Sequence, residues 1–189
     1  MLIRPATGDD WRWLWPLWRA VVAAGDSYTY APDTAKAAAR GLWMLQPPAE
    51  AWLAEDGPDR PALGTYLLKP NHPGPGAHVA NAGFMVSPDA QGQGIGRLLG
   101  LHCLERAREI GFLAMQFNAV VSTNAPAIAL WRSLGFDTVG RVPRRSGIRS
   151  WAWSTCSSCT AGSENTAMRR YPGPGSRPAR GGVRLGTPG

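Results

Sequence analysis

Hydrophobic and polar positions along the 189-residue chain change period several times, and each change marks an element. Leu2-Ile3-Arg4-Pro5-Ala6 reads as a short first strand. Thr7 to Asp10 offer N-cap groups for a helix running to Ala24, which Pro16 must kink or restart. Its tryptophans, Trp11, Trp13, Trp15 and Trp18, do not share one helical face, so most should pack and one or two should line a pocket. A loop with Tyr28 and Tyr30 follows, and Asp33 is expected to cap a second helix from Thr34 to about Leu45. Two apolar runs, around Trp52-Leu53 and Tyr66-Leu67-Leu68, flank Asp56-Gly57-Pro58-Asp59, the pattern of antiparallel strands joined by a turn. A Pro/Gly loop over 70–76 leads into a strand over 77–86. Ile95, Leu98, Leu99, Leu104 and Ala107 keep helical spacing, residues 112–118 read as a buried strand, a short helix follows Asn124, and another strand starts at Phe136. The order β-α-α-β-β-β-α-β-α-β is a mixed α/β arrangement, and the length suits one domain with a sizeable core.

The joint between the strand over 77–86 and the next helix carries candidate chemistry. Gln91-Gly92-Gln93-Gly94-Ile95-Gly96 places a glycine loop at a helix N-terminus. Free backbone N–H groups beside the positive end of a helix dipole suit a pyrophosphate. Side chains there would hold the phosphate off the backbone, and some positions need a positive φ. The loop is not a dinucleotide fingerprint, since Arg97 stands where that pattern needs glycine, and G-x-x-x-x-G-K-[S/T] is absent. A second segment runs from Asn124-Ala125-Pro126 through Leu130-Trp131 to Gly135-Phe136. Asn124 is a natural N-cap, Pro126 fits a first helical turn and Gly135 a C-terminal stop.

Together, Q-x-x-G-x-G and N-x-x-A-x-x-L-[Y/W]-x-x-x-G-F, in this order, resemble the signatures of the GNAT acetyltransferases. The resemblance runs from Met1 to about Val142 and implies the GNAT fold, a mixed, mostly antiparallel sheet with flanking helices and a V-shaped cleft. It implies acetyl-CoA as co-substrate and no metal. The pyrophosphate then falls to Gln91, Gly92, Gln93, Gly94, Ile95 and Gly96, with Arg97 near the phosphates. The thioester carbonyl faces a main-chain N–H around Met85 or Val86, and Asn124 and Trp131 also border the cofactor. Tyr28 and Tyr30 fall in the connection that borders the acceptor in this family.

Many family members carry a tyrosine at the position of Trp131 as general acid, and indole cannot fill that role. For a general base, His72 and His78 are candidates by chemistry, beside a water held by asparagines. Asn81, Asn118 and Asn124 are expected to face the cleft, because an asparagine in an apolar strand needs partners. Residues 117–124 with Trp131 resemble the fungal acetyltransferases that act on proline analogues such as azetidine-2-carboxylate. The reading is acetyl transfer to the amine of a small molecule, an amino or imino acid among the choices, with Asn118 and Asn124 as catalytic candidates and Asn81 and Asn118 as substrate contacts. The alternative is a non-catalytic acyl-CoA-binding remnant.

Charge narrows the partners. The net charge is +7, yet residues 1–143 hold 12 Lys+Arg against 12 Asp+Glu, and residues 144–189 hold 8 Arg against one Glu. The excess lies in an Arg/Gly/Pro-rich tail, so the basic balance says nothing about the ligand of domain 1–143, and no nucleic-acid partner is expected. The tail is expected to be unstructured. Codons for residues 144–162 can be chosen so that a shifted frame reads as a loop and an apolar strand. A frameshifted tail would leave the sheet's last strand missing or replaced. Cys103 reads as a core residue, and Cys156-x-x-Cys159 has no partner pair for a metal. No apolar run is long enough to span a bilayer and no signal pattern opens the chain, so a cytoplasmic protein is expected, with a homodimer left open.

Overall fold

The computed structural model describes residues 1–57, 59–142 and 151–156. In chain order the elements are β1 (Leu2–Pro5), α1 (Trp11–Ala23), α2 (Lys36–Trp43), β2 (Glu50–Glu55), β3 (Gly64–Pro70), β4 (Val79–Val86), α3 (Ile95–Glu109), β5 (Ala114–Val121), α4 (Ala125–Ser133), β6 (Asp137–Val142) and β7 (Trp151–Cys156). They form one sheet in the order β1-β2-β3-β4-β5-β7-β6. Every neighbouring pair is antiparallel except β4–β5, which is parallel.

Two cores form because successive strand residues point to opposite faces. Along β3, Tyr66 and Leu68 join Leu99, Cys103 and Trp131 of α3 and α4, while Leu67 joins Leu14, Trp18 and Trp43 of α1 and α2. Of the α1 tryptophans, Trp11 and Trp18 are buried in that second core.

Helix starts differ from the sequence pattern for local reasons. Residues 8–10 wind into a separate 3-10 turn before α1, closed where the Thr7 N–H and hydroxyl both donate to Asp10 Oδ2 at 2.7 and 2.8 Å. Asp33 does not cap α2. The Thr34 N–H and hydroxyl both turn back to the Ala31 carbonyl, at 3.0 and 2.6 Å, so the helix starts only after Ala35. The sheet position expected to be missing or replaced is taken by β7, between β5 and β6, which belongs to the stretch beyond 143. The rest of that stretch, with Cys159 of the C-x-x-C pair, lies outside the described residues.

One ion cluster ties β1 to the start of α1 and to β2. Arg4 donates to both oxygens of Asp10, each at 2.8 Å, and to both oxygens of Glu55, at 2.9 and 3.0 Å. The Arg4 guanidinium, helped by the Thr7 donors, holds the Asp10 carboxyl well below the usual carboxylate range against the opposing cost of burial. A depressed carboxylate contributes stability that is complete above its unfolded pKa and is lost as pH falls through the folded one. Asp10→Asn is expected to cost roughly 1–2 kcal/mol at neutral pH, discounted for the partial exposure of Arg4. Thermal unfolding from pH 6 to pH 3 checks this: the wild-type melting temperature should fall more steeply than that of the variant. Parallel curves would contradict the assignment.

Candidate active site

The sheet parts in its middle. β4 and β5 pair only at Val79↔Ala114 and Ala80↔Met115. Past that point the Asn81 side-chain amide donates to the Gln116 carbonyl at 2.8 Å, carrying the contact one residue further. Beyond it the strands diverge around an aromatic wedge. The Trp131 ring lies 4.8 Å from Phe84 and 4.7 Å from Phe117, and Phe136 stacks on Phe117 at 4.4 Å. A cleft of about 1120 Å³ occupies the gap.

The ladder fixes which peptide groups face that gap. Asn71 N–H donates to Val79 O, and Ser87 N–H to Leu63 O, so odd-numbered residues of β4 turn toward β3. Leu113 N–H donates to His78 O, so even-numbered ones turn toward β5. With unbroken register along β3–β4, the peptide groups of Ala82, Phe84 and Val86 face the cleft. The Val86 and Phe84 N–H groups are thus turned into the cleft, whereas the Met85 N–H is directed at β3, where Thr65 is its partner, although the Met85 side chain is on the lining.

The glycine loop forms the cleft's other rim. Gly92 and Gly94 have φ of 75° and 79°, where side chains are strained, and an added Cβ at either would meet nothing within 4 Å. Gly94 is the N-cap of α3 and no side chain caps the helix, so its leading N–H groups are left for a ligand. That open, positive-φ cradle fits a pyrophosphate. Gly96 is helical, and a Cβ there would make an ordinary 3.4 Å contact with Leu130. Arg97 is exposed at the rim and donates to Ser133 Oγ at 2.9 Å. Behind the loop, a Cβ at Gly100 would come within 2.8 Å of Leu134 and 3.2 Å of Trp131, so its absence lets α4 lie against α3. Asn124 caps α4, accepting from Ala127 N–H at 3.1 Å, and also lines the cleft.

On the opposite face, the Tyr28 hydroxyl donates to the Phe84 carbonyl at 2.9 Å. Its ring stacks on Tyr30 at 5.5 Å and meets the edge of Trp43 at 6.0 Å. Gly83 makes room, since a Cβ there would sit 3.0 Å from the Tyr28 oxygen. Burial pushes both the Tyr28 and Tyr30 phenols up, so each stays neutral. Asn118 sits where the β5–β7 register shifts, with its amide donating to Asn71 Oδ1 at 2.8 Å and its oxygen accepting from Gln116 Nε2 at 3.3 Å.

Comparison with known proteins gives the family and the fold. The model of the acetyltransferase (GNAT) family matches residues 11–136. The chain belongs to the GNAT family. It is similar to a GCN5-related N-acetyltransferase from Kribbella flavida, at 41% identity over 82% of this chain and 95% of that one, with a TM-score of 0.75. N-acetyltransferase aca1 of Schizosaccharomyces pombe is 45% identical over 80 residues, 42% of this chain and 38% of that protein. The chain thus spans less than half the length of that relative. A phosphinothricin acetyltransferase from Sinorhizobium meliloti, solved in complex with AcCoA, shares the fold at 21% identity and a TM-score of 0.71, covering 88% of this chain and 95% of its own.

In this GNAT chain the cleft brings together Tyr28, Tyr30, Asn81, Met85, Val86, Gln91, Gly92, Gly94, Ile95, Gly96, Arg97, Asn118, Asn124 and Trp131. Gln93 is not on the lining, and its amide turns back to the Asp89 carbonyl at 3.2 Å. His72 and His78 are not there either. The β3–β4 connection curls into a 3-10 turn over Gly74–His78 at the closed end of β4, where both imidazoles are exposed and His78 bonds to the Pro75 carbonyl. Sequence reasoning missed the Phe84 peptide and Lys69, whose places depend on strand register, and Trp43, which the end of α2 brings to the lining.

The loop assignment yields a controlled test. Gly94→Val and Gly111→Val both force a branched side chain onto positive φ, at 79° and 92°, in open space. Each should lose stability, roughly 1–2 kcal/mol. Only Gly94→Val should also weaken CoA binding, by about tenfold or more on titration calorimetry, because only its side chain enters the phosphate cradle. Equal CoA affinity in the two variants would refute the assignment.

Proposed function

We propose that the chain transfers the acetyl group of acetyl-CoA to the amine of a small molecule, an amino or imino acid being the class that suits it. The observation that carries this reading is the cleft itself. It offers a glycine cradle at the start of α3 on one side and neutral amides and phenols on the other, with unpaired strand peptides between them. Acetyl-CoA bound to the cradle supplies an activated acyl group. The Phe84 and Val86 N–H groups are the donors that its carbonyl would meet as charge develops on oxygen.

Alignment does most of the work in such a site. A neutral amine attacks the thioester directly, so no nucleophilic side chain is needed. Tyr28 and Tyr30 stay protonated, and Tyr28 spends its proton on the Phe84 carbonyl. Trp131 is 8% exposed within the aromatic wedge and brings no acid, so the departing thiolate takes its proton from water, and the nitrogen gives up its surplus proton to water as the tetrahedral adduct collapses to the amide. Neutral amides at Asn81 and Asn118 suit a small polar acceptor that reacts as its neutral amine. The resemblance of residues 117–124 to the fungal enzymes of proline analogues supports an imino acid among the acceptors.

A panel of amino acids, imino acids and simple amines, followed by CoA release, tests the proposal. Asn118→Ala should lower kcat/KM for the acceptor by roughly 10- to 100-fold while leaving CoA affinity largely intact. Asn124→Ala should in addition lose about 1 kcal/mol of stability, because Asn124 caps α4. A lower melting temperature with unchanged kinetics at both positions would remove the acceptor assignment. A second reading, a CoA-binding protein without turnover, is favoured by Trp131 at the general-acid position. Binding of acetyl-CoA with no product from any acceptor would establish it.

A further inference from the structure

One charged side chain in the cleft has no use in the account above. Lys69 is the sixth residue of β3, lines the cleft and is half-buried. It stands directly opposite Asn81 in the β3–β4 register, so the two side chains share the sheet face covered by α1 and α2. Its ammonium makes no hydrogen bond or ion pair among the described residues. The contrast with other cations is informative. Arg4 holds Asp10 and Glu55, Arg106 holds Glu50 and Glu109, and Arg97 at the opposite rim donates to Ser133. The carboxylate among the described lining residues, Asp26, is exposed and accepts from Ser27. An ammonium on a cleft wall without an internal counter-ion leaves its donors available to an anionic ligand.

We propose that Lys69 anchors a carboxylate of the acceptor, so that the chain selects amines bearing an acid group over the same amines without one. The inference rests on the acetyl-transfer reading and adds the residue that sets the acceptor class. Asn81 Nδ2 is committed to Gln116, which leaves its Oδ1 as the neighbouring acceptor for the amine N–H. That oxygen is uncharged and orients an amine without holding it as an ammonium.

The test uses matched acceptors, L-proline with L-prolinamide and L-alanine with L-alaninamide, in the wild type, Lys69→Met and Lys69→Glu. The readout is the ratio of kcat/KM for acid over amide. Both members of a pair meet the same folded enzyme, so a purely structural role for Lys69 would leave the ratio unmoved. Loss of one charged hydrogen bond predicts a roughly 10- to 100-fold fall in the ratio for Lys69→Met. Lys69→Glu should push it lower still. A ratio unchanged in both variants overturns the proposal, and acetyl transfer itself then stands. Melting temperatures with CoA plus L-proline or L-prolinamide give an independent reading. A carboxylate-dependent rise that Lys69→Met abolishes supports the anchor even where no acceptor turns over, in which case the acetyl-transfer reading alone fails. With no turnover, the absence of any such rise in the wild type overturns the anchor too.

Discussion

Everything at the site depends on β4 leaving β5 after Ala80. A strand normally loses by giving up a ladder, because each unpaired peptide group has to find another partner. Here the separation is enforced from one face by Trp131, Phe84 and Phe117, whose rings are too large to let the strands close. Gly100 allows α4, which carries Trp131, to press against α3 and hold the wedge in place. At the vertex the Asn81–Gln116 bond keeps the strands from parting further back. The peptide groups of Ala82, Phe84 and Val86 then face the cleft instead of β5, and the Tyr28 hydroxyl satisfies the Phe84 carbonyl.

The same geometry fits the proposed transfer by alignment. Both cleft phenols are held neutral by burial, Trp131 is an indole without an acidic proton, and the two histidines of the β3–β4 connection lie at the far end of β4. What the cleft supplies is orientation, on rigid elements packed on both sides of the sheet. Among the described residues that line the cleft, Lys69 is a full charge without an internal partner, and the proposed selectivity is assigned to it on that ground.

The cradle was legible in the sequence because glycine answers a local demand there. Gly92 and Gly94 take positive φ at a strand-to-helix joint, and that demand shows in the spacing alone. Asn124 was legible as a cap for the same reason. The misses are those that depend on parity between strands. A shift of one residue separates Met85 from Phe84, and only the β3–β4 ladder decides between them. Lys69 escaped notice because its face is set by its pairing with Asn81, far away in the chain. Asp33 looked like a cap, but Thr34 closed its own turn on Ala31 first. Trp151, Trp153 and Thr155 favour a strand, but the Arg/Gly/Pro-rich surroundings beyond 143 hid it, and only the ladder shows that Trp151–Cys156 pairs between β5 and β6.

The central claim is that the even-numbered peptides of β4 face the cofactor. Residue-resolved amide hydrogen exchange, with and without acetyl-CoA, addresses it most directly. The Phe84 and Val86 amides should exchange readily in the free protein and gain protection when acetyl-CoA is added, together with the leading amides of α3. Met85, directed at β3, should be protected in both states. Protection that appears at Met85 instead, or no change at Phe84 and Val86 on saturation with acetyl-CoA, would contradict the account.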